Sequence, residues 1–189
     1  MGVPNGYTSA QVVQAVPTGI NSALVFVART TFTAASSLAM TNVFSSTYEN
    51  YLVQVTNLVA SADAGEAQVQ LGTSGSADTG SNYDYAYIAV DNGSVQNQQS
   101  LNANHWKMLA SYVGTSGYPS QMNIFLSSPN LARPSTCTAT NFGNRNLYLQ
   151  SATFGGAIIT NTQYTDFFLS TAGAPTHSCT ITVYGIANS

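Results

Sequence analysis

Charged side chains are scarce in this sequence: the 189 residues include four Lys or Arg and seven Asp or Glu, 6% in all, against about 25% in typical soluble domains. The four cations, Arg29, Lys107, Arg133 and Arg145, are scattered. Because nucleic-acid binding needs clustered cations to neutralise phosphates, we expect no nucleic-acid partner. A surface with so little charge resists association weakly. It favours a protein that works inside an assembly over a neutral, extracellular-type β domain.

Cysteine and long apolar runs are also scarce. Two cysteines, Cys137 and Cys179, exclude a disulfide framework and a zinc site. A single bridge between them stays open, although two small buried apolar residues are the favoured interpretation. The N-terminus has no basic region followed by an apolar run, which predicts no signal peptide. No apolar run approaches the roughly 20 residues that span a bilayer, so no membrane partner is expected.

Catalytic motifs are missing too. His105 and His177 are the only imidazoles and belong to no metal or nucleophile motif. The carboxylates are dispersed, although a glycosidase pair from distant strands is not excluded by sequence. Asp78, Asp84 and Asp91 match no calcium-loop spacing and are interpreted as solvated loop carboxylates. The sequence therefore predicts a protein that is not an enzyme and has no cofactor.

What the sequence does contain, from residue 23 to 189, is a succession of short strand-like segments separated by Gly, Ser and Asn turns. About ten strands at spacings of about 8 to 20 residues, with no period of 3.6, predict an all-β antiparallel sandwich or barrel. Residues 1–22 are turn-rich and include Pro17. They are interpreted as an extended N-terminal arm that packs on a neighbouring subunit or a larger particle. A first strand with a frayed end is the alternative.

The segment from residue 42 to 57 predicts a corner between two strands. Ser46 and Glu49 have the spacing of a capping box, which predicts one helical or 3₁₀ turn closed by reciprocal hydrogen bonds. Phe44 and Tyr48 flank this turn and are expected to close one end of the core. Tyr51 and the valines two and four residues after it fall on one face of the next strand. All three aromatic residues of this corner are therefore expected to be buried.

Three tyrosines, Tyr83, Tyr85 and Tyr87, lie on one face of a predicted strand. If exposed, they form a platform for sugar rings or for a protein partner. If buried, they form a wall of the core or line a three-fold axis, and packing is the favoured interpretation. Trp106, the only tryptophan, is interpreted as a core or interface residue rather than a ligand contact.

Several segments resemble proteins of the bacteriophage virion: tail-fibre, head-fibre and capsid-decoration domains. Residues 44–51, FSSTYENY, resemble their F-x-x-x-Y-D-N-Y corner, with Glu in place of the usual Asp. Their C-terminal pattern is matched by residues 167–173, FFLSTAG, and 180–186, TITVYGI. Residues 80–83, GSNY, resemble a loop sequence of the same group. The resemblance covers residues 23–189. It implies an antiparallel jelly-roll-like β-sandwich of about 8–10 strands, commonly a homotrimer, on the outside of a virion.

The functional expectation follows from this resemblance. It is a trimeric capsid decoration, cement or head-fibre protein on the virion surface, assembled in the host cytoplasm. Residues 1–22 would contact the major capsid protein or another virion protein. The alternative is a tail-fibre receptor-binding or carbohydrate-binding module that contacts host glycans through the three tyrosines.

Overall fold

The computed structural model of the protein describes residues 24–62, 66–109, 113–115, 117–145, 148–172 and 176–187. These residues contain strands, turns and irregular segments, and no helix occurs among them. The all-β prediction is therefore confirmed. The predicted arm, residues 1–22, lies outside the described residues.

The strands number thirteen in the described parts of the chain. In order they are β1 (Leu24–Ala35), β2 (Leu38–Met40), β3 (Asn50–Ala60), β4 (Ala67–Thr73), β5 (Ser76–Ala77), β6 (Tyr83–Asp91), β7 (Ser94–Ala103), β8 (Trp106–Leu109), β9 (Ser120–Ser127), β10 (Ser135–Arg145), β11 (Tyr148–Ile158), β12 (Asp166–Thr171) and β13 (His177–Ile186). The count exceeds the expected 8–10, and it includes three strands, β2, β5 and β8, that are only 3, 2 and 4 residues long.

The strands form two antiparallel sheets that pack face to face. The larger sheet has the order β1-β13-β3-β9-β10-β11-β6-β7, and the smaller has the order β2-β12-β4-β5 with β8 also paired to β4. Buried side chains from both sheets meet in one core, such as Val53 and Ile124 from the larger and Val69 and Phe167 from the smaller. The predicted β-sandwich is confirmed.

Alternation along the strands decides which side chains enter this core. In β3, Tyr51, Val53 and Val55 are buried, while Gln54 and Thr56 lie on the opposite face. This is the predicted face of that strand. Strands β6, β9 and β13 alternate in the same way over their full length, because their outer face points to solvent and their inner face to the core.

One close approach fixes how the corner after β2 meets the sheet. The ring of Tyr48 lies against Gly185 in β13, so closely that a Cβ atom at this glycine would overlap the ring. Gly185 is also paired with Tyr51 of β3. The absence of a side chain at residue 185 therefore makes room for Tyr48.

Replacing Gly185 with Ala is expected to lower the free energy of unfolding by about 1–3 kcal/mol, because the methyl group must displace Tyr48. Gly155→Ala in β11 is the matched control, since no atom outside its chain neighbours lies within 4 Å of a Cβ there. Its effect is expected to stay within about 0.5 kcal/mol. Urea denaturation measures both, and equal effects would contradict this account of the corner.

Candidate functional site

The corner that resembles the virion proteins is closed by the hydroxyl of Tyr51. This hydroxyl accepts a hydrogen bond from the Ser45 N–H at 2.8 Å and donates one to the Ser45 carbonyl at 2.8 Å. Tyr51 is fully buried and meets Phe44 edge-on, with ring centroids 4.9 Å apart. The expected burial of these two residues is confirmed. The same expectation was wrong for Tyr48, which is only partly buried and packs edge-on against Tyr51, with ring centroids 5.9 Å apart.

The capping-box prediction for Ser46 and Glu49 was wrong. Residues 46–49 form a turn that is neither α-helical nor 3₁₀, and Ser46 is exposed. The Glu49 carboxylate instead forms an ion pair with Arg133, a residue 84 positions later in the sequence. A carboxylate and a guanidinium make a strong, charge-assisted contact, and the Tyr51 hydroxyl holds the chain just before the turn by binding Ser45.

Tyr51→Phe should therefore lower the free energy of unfolding by about 1–3 kcal/mol, because both backbone groups of Ser45 lose their partner. Ser46→Ala should change it by less than about 0.5 kcal/mol. Urea denaturation of the two variants beside the wild type checks this. If Ser46→Ala were the costlier change, the capping box would be restored and the tyrosine closure would be refuted.

Asp166 at the start of β12 is a fully buried carboxylate, and no Lys, Arg or His among the described residues forms an ion pair with it. It accepts hydrogen bonds from the N–H groups of Asn42 at 2.8 Å and Gly75 at 2.6 Å, and from the Thr165 hydroxyl at 2.8 Å. Burial acts to raise the pKa of Asp166, but these bonds outweigh it and hold the pKa below its ordinary value. The carboxylate thus joins three separate segments at one end of the sandwich.

The stability that Asp166 contributes should depend on pH. Its pKa is lowered in the folded state, so its contribution is complete above the ordinary value of 3.8 and is lost as pH falls through the folded pKa. We expect Asp166→Asn to cost about 1–3 kcal/mol at pH 7, because an amide NH₂ then faces backbone donors. The difference from the wild type should shrink below pH 3.8. Urea denaturation at a series of pH values from neutral to acid measures it, and a difference independent of pH would contradict the assignment.

Glu66 lies in the densest group of ionisable side chains in the described structure, a group that the sequence did not predict. Its carboxylate meets the Lys107 ammonium at 2.8 Å and the His105 ring at 3.3 Å, and accepts a bond from the Gln68 amide at 2.6 Å. Burial acts to raise the pKa of Glu66, but Lys107 and Gln68 outweigh it and lower the pKa. Because β4 and β8 pair at this point, the group fixes the edge of the smaller sheet.

Asp78, Asp84 and Asp91 do not come together. Asp78 accepts bonds from the Gly80 N–H at 2.8 Å and the Tyr164 hydroxyl at 2.5 Å. Asp84 and Asp91 occupy opposite ends of β6, roughly 23 Å apart at about 3.3 Å per residue. The interpretation as solvated loop carboxylates was wrong for these two, since Asp84 lies within the strand and Asp91 is buried. Among the described residues, no three His, Cys, Asp or Glu side chains are placed to hold a metal ion.

The tyrosines of β6 belong to the core. Tyr83, Tyr85 and Tyr87 are 0%, 7% and 6% exposed. Tyr83 meets Trp106 edge-on at 5.4 Å between ring centroids, and Tyr85 stacks on Phe154 at 5.8 Å. Burial raises the pKa of Tyr83 and Tyr87. The exposed-platform hypothesis does not fit this placement, whereas the packing interpretation does, for Trp106 as well as for the tyrosines.

The cysteines are both buried and free. Cys137 lies in β10 and Cys179 in β13, and β9 and β3 separate these strands in the sheet, too far for a bridge. Burial raises the pKa of both thiols, that of Cys179 to about 12. They are therefore unreactive apolar residues, as the favoured interpretation had it.

The second histidine, His177, is also buried. Its Nε2 contacts the Thr171 hydroxyl, and Thr171 is buried as well. Burial lowers the pKa of His177, although a hydrogen bond with the backbone of Ala35 acts in the opposite direction. Because both partners are covered, the pair offers no nucleophile to a substrate.

Comparisons of the chain with protein-family models, with curated proteins and with solved structures found no match. The described part of the chain contains no helix long and apolar enough to cross a bilayer. Function must therefore be argued from the placement of the side chains.

Proposed function

We propose that the protein is a structural component of a bacteriophage particle: a homotrimeric capsid decoration, cement or head-fibre protein on the virion surface, without catalytic activity. One observation carries this proposal. All six carboxylates in the described residues are bound to groups that hold strands or loops in place: Glu49, Glu66, Asp78, Asp84, Asp91 and Asp166. The carboxylates of the described residues are thus engaged in architecture.

The strand order supports the jelly-roll form that the resemblance implies. We infer a jelly roll from eight strands that divide evenly between the sheets. Their orders are β1-β13-β3-β9 in the larger sheet and β2-β12-β4-β8 in the smaller. Along the chain, each of these eight strands is followed by one in the opposite sheet, except that β4 is followed by β8 in the same sheet. Two four-stranded sheets connected in this way are the two Greek keys of a jelly roll. Strands β10, β11, β6 and β7 then extend one of the sheets.

The attachment role is proposed for residues 1–22, which would contact the major capsid protein or another virion protein. The tail-fibre or carbohydrate-binding alternative relied on an exposed tyrosine platform. Because Tyr83, Tyr85 and Tyr87 are buried, that alternative loses its binding surface, and the particle role is the better supported of the two.

Electron microscopy of antibody-labelled particles tests the location of the protein. We expect label over the capsid surface. The full chain added to particles that lack it should bind, and a chain without residues 1–22 should not, while keeping the circular dichroism spectrum of the full chain. The capsid location would be overturned by label confined to the tail, and the particle role by absence of the protein from particles. Undiminished binding of the shortened chain would overturn the attachment role of residues 1–22.

A further inference from the structure

The outer face of the larger sheet is almost free of charge. Alternation directs every second residue of its strands away from the core. Among the outward side chains that the structure describes on these eight strands, only Arg29 in β1 and Asp84 in β6 are charged. Thr, Ser, Asn and Gln occupy most of the remaining positions. The low charge of this face is a property that it shares with interface cores.

A first apolar cluster occupies one half of this face. Phe26, Tyr184, Leu52 and Phe125 stand side by side on four neighbouring strands, paired in that order. Phe26 and Phe125 are 61% and 49% exposed, while Leu52, between Tyr184 and Phe125, is only 7% exposed. The rings of Phe26 and Tyr184 meet edge-on at 6.3 Å. The two rings therefore stand nearly perpendicular to each other instead of forming a flat platform.

A second apolar cluster occupies the other half. It consists of five outward side chains from β6, β7, β10 and β11: Ile88, Val90, Val95, Phe142 and Leu149. Val95 is 72% exposed and stands directly opposite Val90. Val90, Phe142 and Leu149 border a depression of about 370 Å³. The first half also has a depression, of about 230 Å³, which Phe125 borders together with Asn50 and Ile186.

A strip of small side chains separates the clusters. Thr138, Gly155 and Ala86 continue the row of Phe125 across β10, β11 and β6. The face therefore carries two distinct apolar surfaces, each about four strands wide, with low relief between them.

We infer that a second copy of this chain covers each cluster, with the first cluster of one copy seated on the second cluster of the next. The charges fit this pairing, since Arg29 lies on the half with the first cluster and Asp84 on the half with the second. Contact between two different surfaces is head-to-tail, and it closes into a ring when the rotation from copy to copy closes, whereas otherwise an open filament forms. Three copies would close with the strip of small side chains toward the axis. This arrangement rests on the homotrimer in the proposed function.

The size of the face is adequate for such a contact. Eight strands about 4.8 Å apart, with about ten residues each at about 3.3 Å per residue, give roughly 1,200 Å² per copy, or about 600 Å² for each half. This reaches the lower end of the range for a standard specific interface, in which each partner buries about 600–1,000 Å². Each copy in a ring covers its whole face, one half against each neighbour.

Sedimentation velocity of the full chain and of single variants tests the contact. We expect the wild type to sediment with about three times the 19.8 kDa mass of one chain. Phe125→Glu in the first cluster and Val95→Glu in the second should both sediment as monomers. Asn161→Glu, in an exposed loop off the face, is the matched control and should stay trimeric. Unchanged circular dichroism spectra separate lost assembly from lost folding.

A mixture of Phe125→Glu and Val95→Glu tests whether the first cluster contacts the second cluster rather than another first cluster. The first variant keeps an intact second cluster and the second variant keeps an intact first cluster, so one good contact remains and a one-to-one dimer should form. The inference would be overturned if the wild type were monomeric or dimeric, or if the two cluster variants stayed trimeric. A mixture that stays monomeric would overturn it as well. A monomer found on the capsid would leave the particle role standing, whereas a trimer missing from particles would refute only that role.

Discussion

The fold depends on one buried carboxylate at the end of the sandwich where its connections converge. Asp166 binds the N–H of Asn42, in the crossover from the smaller sheet to the larger, and the N–H of Gly75, in the turn between β4 and β5. A carboxylate removed from water is stable only when fixed donors replace its hydration. Both loops must therefore keep their shape for Asp166 to stay ionised. The carbonyl of the preceding residue, Thr165, accepts hydrogen bonds from the N–H groups of Val43 and Phe44. These bonds fix the segment that precedes the Tyr51 corner.

Other charged side chains also hold separate segments together, which explains how a chain with so few charges remains ordered. Glu49 and Arg133 join the corner to the loop after β9, and Glu66 and Lys107 join β4 to β8. Both ion pairs join elements that are distant in sequence, and among the described outward side chains of the larger sheet only Arg29 and Asp84 are charged. The wide outer face of the larger sheet is thus free to be covered by another copy of the chain.

Sequence reasoning predicted what depends on local order. Tyr51, Val53 and Val55 recur at every second position, which was sufficient to predict that they share the buried face of β3. The repeated turns were sufficient to predict the all-β class. Long-range partners were not visible: Glu49 has capping-box spacing, but its partner lies 84 residues away. Tyr83 is buried because the face of β6 that carries it points to the smaller sheet. The spacing of the tyrosines showed that they share a face but not which way that face points. Asp166 gave no signal, since its donors are backbone groups whose positions exist only in the fold.

Amide hydrogen exchange at Asn42 and Gly75, followed by NMR at neutral pH, tests the central role of Asp166 most directly. Neither residue belongs to a strand, so an ordinary turn amide at either position would exchange rapidly. If the carboxylate holds both loops, the two amides should exchange as slowly as those in the middle of β4 and β12, and they should lose this protection together in Asp166→Asn. Rapid exchange of both amides in the wild type would contradict the account.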